Sequence, residues 1–134
     1  MKDKVSLEGE CMSQHKERET VVALLYLKSM SGNILPDEYP ETLVARTEII
    51  WKKIEELDAV ISANLKDWTI DRLNLVDKAI LRNAVYEMMF TELPAEIVLD
   101  EAIELTKTYT NLDDDKARAF NNKLLDNIKN YLQK

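Results

Sequence analysis

"NLVDKAILRNAVYEMMF", residues 74–90, decides the fold of this chain. On a helical wheel Val76, Ala79, Ile80, Leu81, Ala84, Val85, Met88 and Met89 leave no wide polar face. A helix that is apolar all round needs cover on most sides, so this segment is predicted to be the central helix of a helical domain. Asn74, with Asp77 three residues later, resembles a capping pair and sets the helix start. Asp77, Lys78, Arg82 and Glu87 ride on the same element. Covered ions are costly unless paired, so these either pair inside the protein or face a partner, and Asp77 has capping as a further role.

The flanking segments keep the helical period. Val21, Leu24 and Leu25 share one side of "QHKERETVVALLYLKSM", with Val22 and Tyr26 beside them. "SGNILPDEYPE" holds Gly32, Pro36 and Pro40 and reads as a loop. From about Glu41 to Leu65, Leu43, Ile50, Ile54, Leu57, Ile61 and Leu65 recur at threes, fours and sevens, which predicts one long amphipathic segment. Trp51 and Trp68 are assigned to the core, and "KDWTIDRLN" reads as a turn with one short helical turn. Pro94 stands near a first helical position, ahead of a stripe of Val98, Ala102, Leu105 and Tyr109. No segment alternates with period two long enough for a strand. The expectation is an all-α domain of about five to seven helices over residues 14–134, preceded by a mobile arm over residues 1–13.

Composition narrows function. The 134 residues suffice for one domain with a sizeable core, and 2 Gly with 3 Pro favour long helices. The formal net charge of −7 is the wrong sign for general phosphate neutralisation, though a local basic face is compatible with it. Cys11 is the only cysteine, so no internal disulfide framework exists. No apolar run of 18 residues and no signal-peptide pattern occurs, which points to the cytoplasm and away from a membrane. Gly9 and Gly32 cannot build a phosphate-cradling loop, and a single histidine, His15, cannot form a histidine zinc cluster. His15 reads as an exposed first-turn residue rather than an anion contact. Asp113, Asp114 and Asp115 lack the alternating ligands and glycine of a calcium loop and read as helix-start electrostatics. No enzyme, metal or cofactor is expected.

A second stretch, "ARAFNNKLLDNI" at residues 117–128, sets two asparagines inside an amphipathic pattern. Ala117, Phe120, Leu124, Ile128 and Tyr131 are assigned to its buried side. Around Phe120 lie Lys116, Arg118 and Lys123, while the first helix opens with His15, Lys16 and Arg18, diluted by Glu17 and Glu19. If the two regions meet in space, they form a basic, aromatic, amide-bearing corner suited to single-stranded RNA.

"DWTIDRLNLVDKAILRNAVYEM", "LPAEIVLDEAIELTKTY" and "AFNNKLLD", with "VVALLY" in the first helix, resemble in order and spacing the signature of the NusB family of bacterial transcription antitermination factors. The resemblance spans about residues 14–132 and is strong over 68–126. It implies two small helical bundles packed at an angle. It also implies pairing with NusE, a small-subunit ribosomal protein, and joint binding of the single-stranded box A element of ribosomal RNA leaders. That would occur within the elongation complex and its other Nus factors, by a monomer or a homodimer. Carried over by position, Lys16, Arg18, Phe120 and Asn122 become RNA-contacting candidates, with His15, Lys116 and Lys123 from the same corner. Tyr26, Asp77, Arg82 and Asp71 become NusE-facing candidates.

Departures from the family pattern bear on the RNA side. The customary arginines of the first helix are replaced by "SQHKERET", and Lys123, Asn121 and Asp100 stand where glycine, valine and asparagine are usual. Fewer phosphate contacts imply weaker RNA binding with a flatter salt dependence. Two other roles fit the pattern: a protein-only scaffold without RNA contact, and an accessory module of the kind that precedes ribosomal RNA cytosine methyltransferases.

Overall fold

The computed structural model describes residues 13–31, 38–110 and 115–134. The arm up to residue 12 with Cys11, the loop carrying Gly32 and Pro36, and Asp113 with Asp114 lie outside the described residues. Six α-helices follow in order: α1 Gln14–Ser31, α2 Glu41–Lys52, α3 Ile54–Ala63, α4 Leu75–Phe90, α5 Ala95–Tyr109 and α6 Lys116–Tyr131. A single 3₁₀ turn, Ile70–Arg72, lies between α3 and α4. No strand occurs among the described residues, in agreement with the all-α reading.

α4 is the hub, packing against α1, α2, α3, α5 and α6. Ala79, Ile80, Leu81, Ala84, Val85 and Met88 are buried along it, and they meet Val21, Leu24 and Leu25 of α1, Val98 and Leu105 of α5, and Leu124, Leu125 and Ile128 of α6. Burying side chains of this size contributes roughly 1.5–3 kcal/mol each, which is why an unusually apolar helix sits at the centre. The Asn74 side chain accepts the Asp77 backbone N–H at 2.7 Å, so the capping pair starts α4 as expected.

The long segment at 41–65 is not one helix. It breaks at Lys53, whose backbone turns to φ −102°, ψ 13° and whose N–H donates to the Ile50 carbonyl. This three-residue closure is a local 3₁₀ tightening. No glycine or proline marks it in the sequence. The break lets α2 and α3 each lay its own apolar stripe on α4.

Asp77, Arg82 and Glu87 of the central helix are bonded inside the protein. Arg82 grips Asp58 of α3 with two hydrogen bonds of 2.8 Å each, and Lys28 of α1 pairs with Glu48 of α2 at 3.1 Å. Both cations also lie over the half-buried Trp51 ring, at 5.7 and 5.6 Å from its centroid. Trp68 departs from its core assignment. It is 42% exposed, in the irregular stretch between α3 and the 3₁₀ turn.

Candidate nucleic-acid interface

Residues 120–122 of α6 answer the question posed by the paired asparagines. Successive helical residues step about 100° around the axis, so three in a row cannot share a face. Asn121 points inward and is fully buried, while Phe120 and Asn122 flank it on the outside. The Asn121 Nδ2 donates to Asp77 Oδ1 and to Thr106 Oγ1, both at 3.1 Å, tying α6 to the start of α4 and to α5. Phe120 is 39% exposed, so its assignment to the buried side is corrected. The buried stripe runs instead through Asn121, Leu124, Leu125 and Ile128, and Tyr131 is exposed.

Asn121 Oδ1 is buried without a hydrogen-bond partner among the described residues. Both groups its amide serves keep other partners: Asp77 accepts from Asn74, and Thr106 donates to the Ala102 carbonyl. Asn121→Val removes two hydrogen bonds and one orphaned carbonyl together. The expected change in urea unfolding is within about 1 kcal/mol.

On one flank of α6, Phe120 and Lys123 line a groove with Asn64, Lys66 and Asn127. On the other flank, Asn122 and Arg118 line a cleft with Asp100, Glu101 and Glu104 of α5. Phe120 and Asn122 therefore do not act on one surface. The start of α1 comes to the second flank, since Glu101 lies 2.6 Å from His15 Nδ1 and 3.4 Å from Arg18 Nη1. His15 is exposed in the first turn of α1, as the sequence suggested, and there it touches a carboxylate of its own chain.

Arg18 requires a larger correction. Its guanidinium was expected on the surface as a phosphate contact, yet the residue is only 6% exposed. Nε and Nη2 donate to the two Glu87 oxygens at 2.7 and 2.8 Å, and Asn83 Nδ2 adds a bond to the same carboxylate at 3.2 Å. The Glu87 hydrogen bonds raise the Arg18 pKa above its ordinary high value. A fork–fork pair of this kind is a clamp between α1 and α4. Lys16 remains outward, 61% exposed at its side chain and 3.3 Å from Glu19. Lys116 and Lys123 are exposed with no ion pair among the described residues, and Arg118 pairs with Asp115 at 3.0 Å.

Among the candidates for a protein partner, Tyr26 is half-buried and borders a cleft with Asn74, Val76 and Tyr109. Asp71 is exposed on the 3₁₀ turn. Asp77 and Arg82 are buried and bonded inside the protein, the first of the two alternatives the sequence left open for their charges.

Tyr109 also leaves its expected apolar stripe and donates its hydroxyl to Glu19, lowering the Glu19 pKa and raising its own. A depressed carboxylate stabilises the fold above its unfolded pKa, and that contribution fades as pH falls through the folded value. Tyr109→Phe is expected to cost up to about 1 kcal/mol at neutral pH. In chemical melts the gap to the unaltered protein should close once the solution is more acidic than the Glu19 range.

The NusB family pattern matches residues 8–130. The chain belongs to the NusB family. The "Transcription antitermination protein NusB" of Bacillus mycoides (strain KBAB4) is 35% identical over 133 residues, covering 90% of this chain and 100% of the relative. That of Bacillus thuringiensis (strain Al Hakam) gives the same identity and coverage. Among solved structures, T. maritima NusB superposes with a TM-score of 0.75 at 25% identity, covering 90% of this chain and 93% of that one. A structure described as antitermination factors NusB and NusE in complex with dsRNA gives 0.71 at 26% identity, covering 90% and 99%. NusB-type function is transcription antitermination without enzymatic chemistry. No described helix is long and apolar enough to cross a membrane.

Sequence reasoning missed the residues around Phe120. The ring of Trp68 lies 6.5 Å from that of Phe120, tilted by 58°, and Arg72 Cζ sits 4.4 Å over Trp68. The signal was available in "LKDWTIDR", where an aromatic stands between Lys66 and Arg72.

Proposed function

We propose that this NusB-family protein pairs with NusE in the cytoplasm and that the pair binds single-stranded box A RNA of ribosomal RNA leaders. That binding would support antitermination within the elongation complex and its other Nus factors. The supporting observation is the outer surface of α6, where a partly exposed Phe120 ring stands with Lys123, which has no ion pair among the described residues, on a chain of net charge −7. A ring with a cation at its side supplies stacking and phosphate attraction, the two interactions single strands offer. Lys116, one turn before Phe120, extends the contact along the same flank of α6, and Lys16 and Asn122 carry it to α1 and the other flank. Arg18 holds the start of α1 in place from beneath, and the carboxylates of the α5 cleft weaken phosphate binding on that flank.

The NusE surface is assigned to Tyr26 and Asp71, with Asp77 and Arg82 fixing the frame of α4 behind them. Titrating a fluorescein-labelled box A oligoribonucleotide at low salt, with and without NusE, tests the reading. Tighter binding with NusE is expected, and no binding in either condition refutes the RNA half. A protein-only scaffold is favoured by one observation, the neutralisation of Arg18 by Glu87, with Glu101 also beside the start of α1. Its signature would be NusE binding with no RNA term at any salt concentration.

A further inference from the structure

We infer that the groove between the end of α3 and the outer flank of α6 is a nucleobase subsite, carrying the RNA strand past Phe120 toward Trp68. The inference rests on the RNA-binding reading and adds residues to it. The groove encloses about 340 Å³ and is lined by Asn64, Lys66, Phe120, Lys123 and Asn127, with Leu65, Ala119 and Leu124 at its floor and walls. No carboxylate lines it, although the chain carries 25 acidic residues against 18 basic ones. The α5 cleft on the opposite flank has three carboxylates. Charge complementarity therefore sends a polyanion to the α3 side of α6.

The groove offers each interaction a single nucleotide needs. Phe120 presents an apolar ring to the base, and Lys66 and Lys123 have no ion pair among the described residues and stand ready for phosphates. Asn64 is oriented by donating Nδ2 to the Val60 carbonyl at 2.9 Å, which leaves its Oδ1 as an acceptor. Asn127, whose side chain has no hydrogen bond among the described residues, adds a second amide able to donate and accept at a base edge. Beyond the lip, Trp68 meets Phe120 tilted by 58°, so it braces the ring without covering it in parallel. Arg72 over Trp68 continues the alternation of ring and cation. A peptide would use the apolar floor but would leave this row of cations without counter-charge.

The test uses the full chain with NusE and fluorescein-labelled box A RNA, titrated over a range of salt concentrations. Lys66→Ala is expected to lower the slope of log affinity against log salt by about 0.7. Asn127→Ala is expected to weaken binding by about three- to tenfold. Both substitutions are at the surface, so thermal midpoints and RNA-free NusE affinity should be unchanged. If both variants bind RNA as the unaltered protein does, the subsite is refuted and the RNA-binding reading stands. If they weaken NusE binding in the absence of RNA, the groove is a protein-docking surface and the inference is overturned. If the unaltered complex binds no RNA at low salt, the inference falls together with the reading beneath it.

Discussion

Arg18→Met is expected to lower the free energy of unfolding by about 3–5 kcal/mol, measured by urea denaturation. The reason is the partner left behind. Glu87 sits in the same enclosed seam and receives both forks of the guanidinium, with Asn83 as its remaining side-chain donor. Removing the cation strands a poorly solvated carboxylate, which costs more than the pair itself contributes. The double substitution Arg18→Met with Glu87→Met should recover most of the loss, since an apolar pair of similar volume needs no counter-charge. A loss below about 1 kcal/mol for the single change would contradict the clamp assignment. In the fraction that remains folded, the salt slope of RNA binding should match that of the unaltered protein, because Arg18 neutralises Glu87 rather than phosphate.

Phe120→Ala separates stability from binding in the opposite way. The ring is 39% exposed, with Trp68 its ring partner. Its removal should cost about 1–2 kcal/mol of stability, short of the roughly 3–5 kcal/mol of a sealed phenylalanine. Box A affinity should fall by about 1–3 kcal/mol, or roughly five- to 150-fold, if a base stacks there. Calorimetric melting and anisotropy titration on the same preparation measure both. A large stability loss with unchanged RNA affinity would make Phe120 a packing residue.

The two outcomes correspond to what the sequence discloses and what it conceals. α4 was legible because an apolar surface on all sides has one physical solution, burial at the centre, and because Asn74 and Asp77 mark its start. The α2–α3 break was illegible, since the hydrophobic period continues across Lys53 and the tightening is made by backbone hydrogen bonding alone. Phe120 was assigned inward because aromatic residues usually follow the apolar stripe. The stripe turns out to include Asn121, whose amide finds Asp77, 44 positions earlier, and Thr106 on a third helix. No local pattern announces such a partner. Arg18 has the same lesson, as its counter-ion is 69 residues away. Charge type could be read from the chain, whereas exposure of that charge depended on packing between α1, α4 and α5.

Photo-crosslinking tests the central claim most directly. Box A RNA carrying 4-thiouridine at successive positions is bound to the complex with NusE, irradiated and digested with trypsin. Cleavage after Arg118 and Lys123 isolates the pentapeptide 119–123, "AFNNK". The account predicts that this peptide carries the main adduct on the NusB-family chain. Efficient crosslinking elsewhere on the chain with none at residues 119–123 would contradict it.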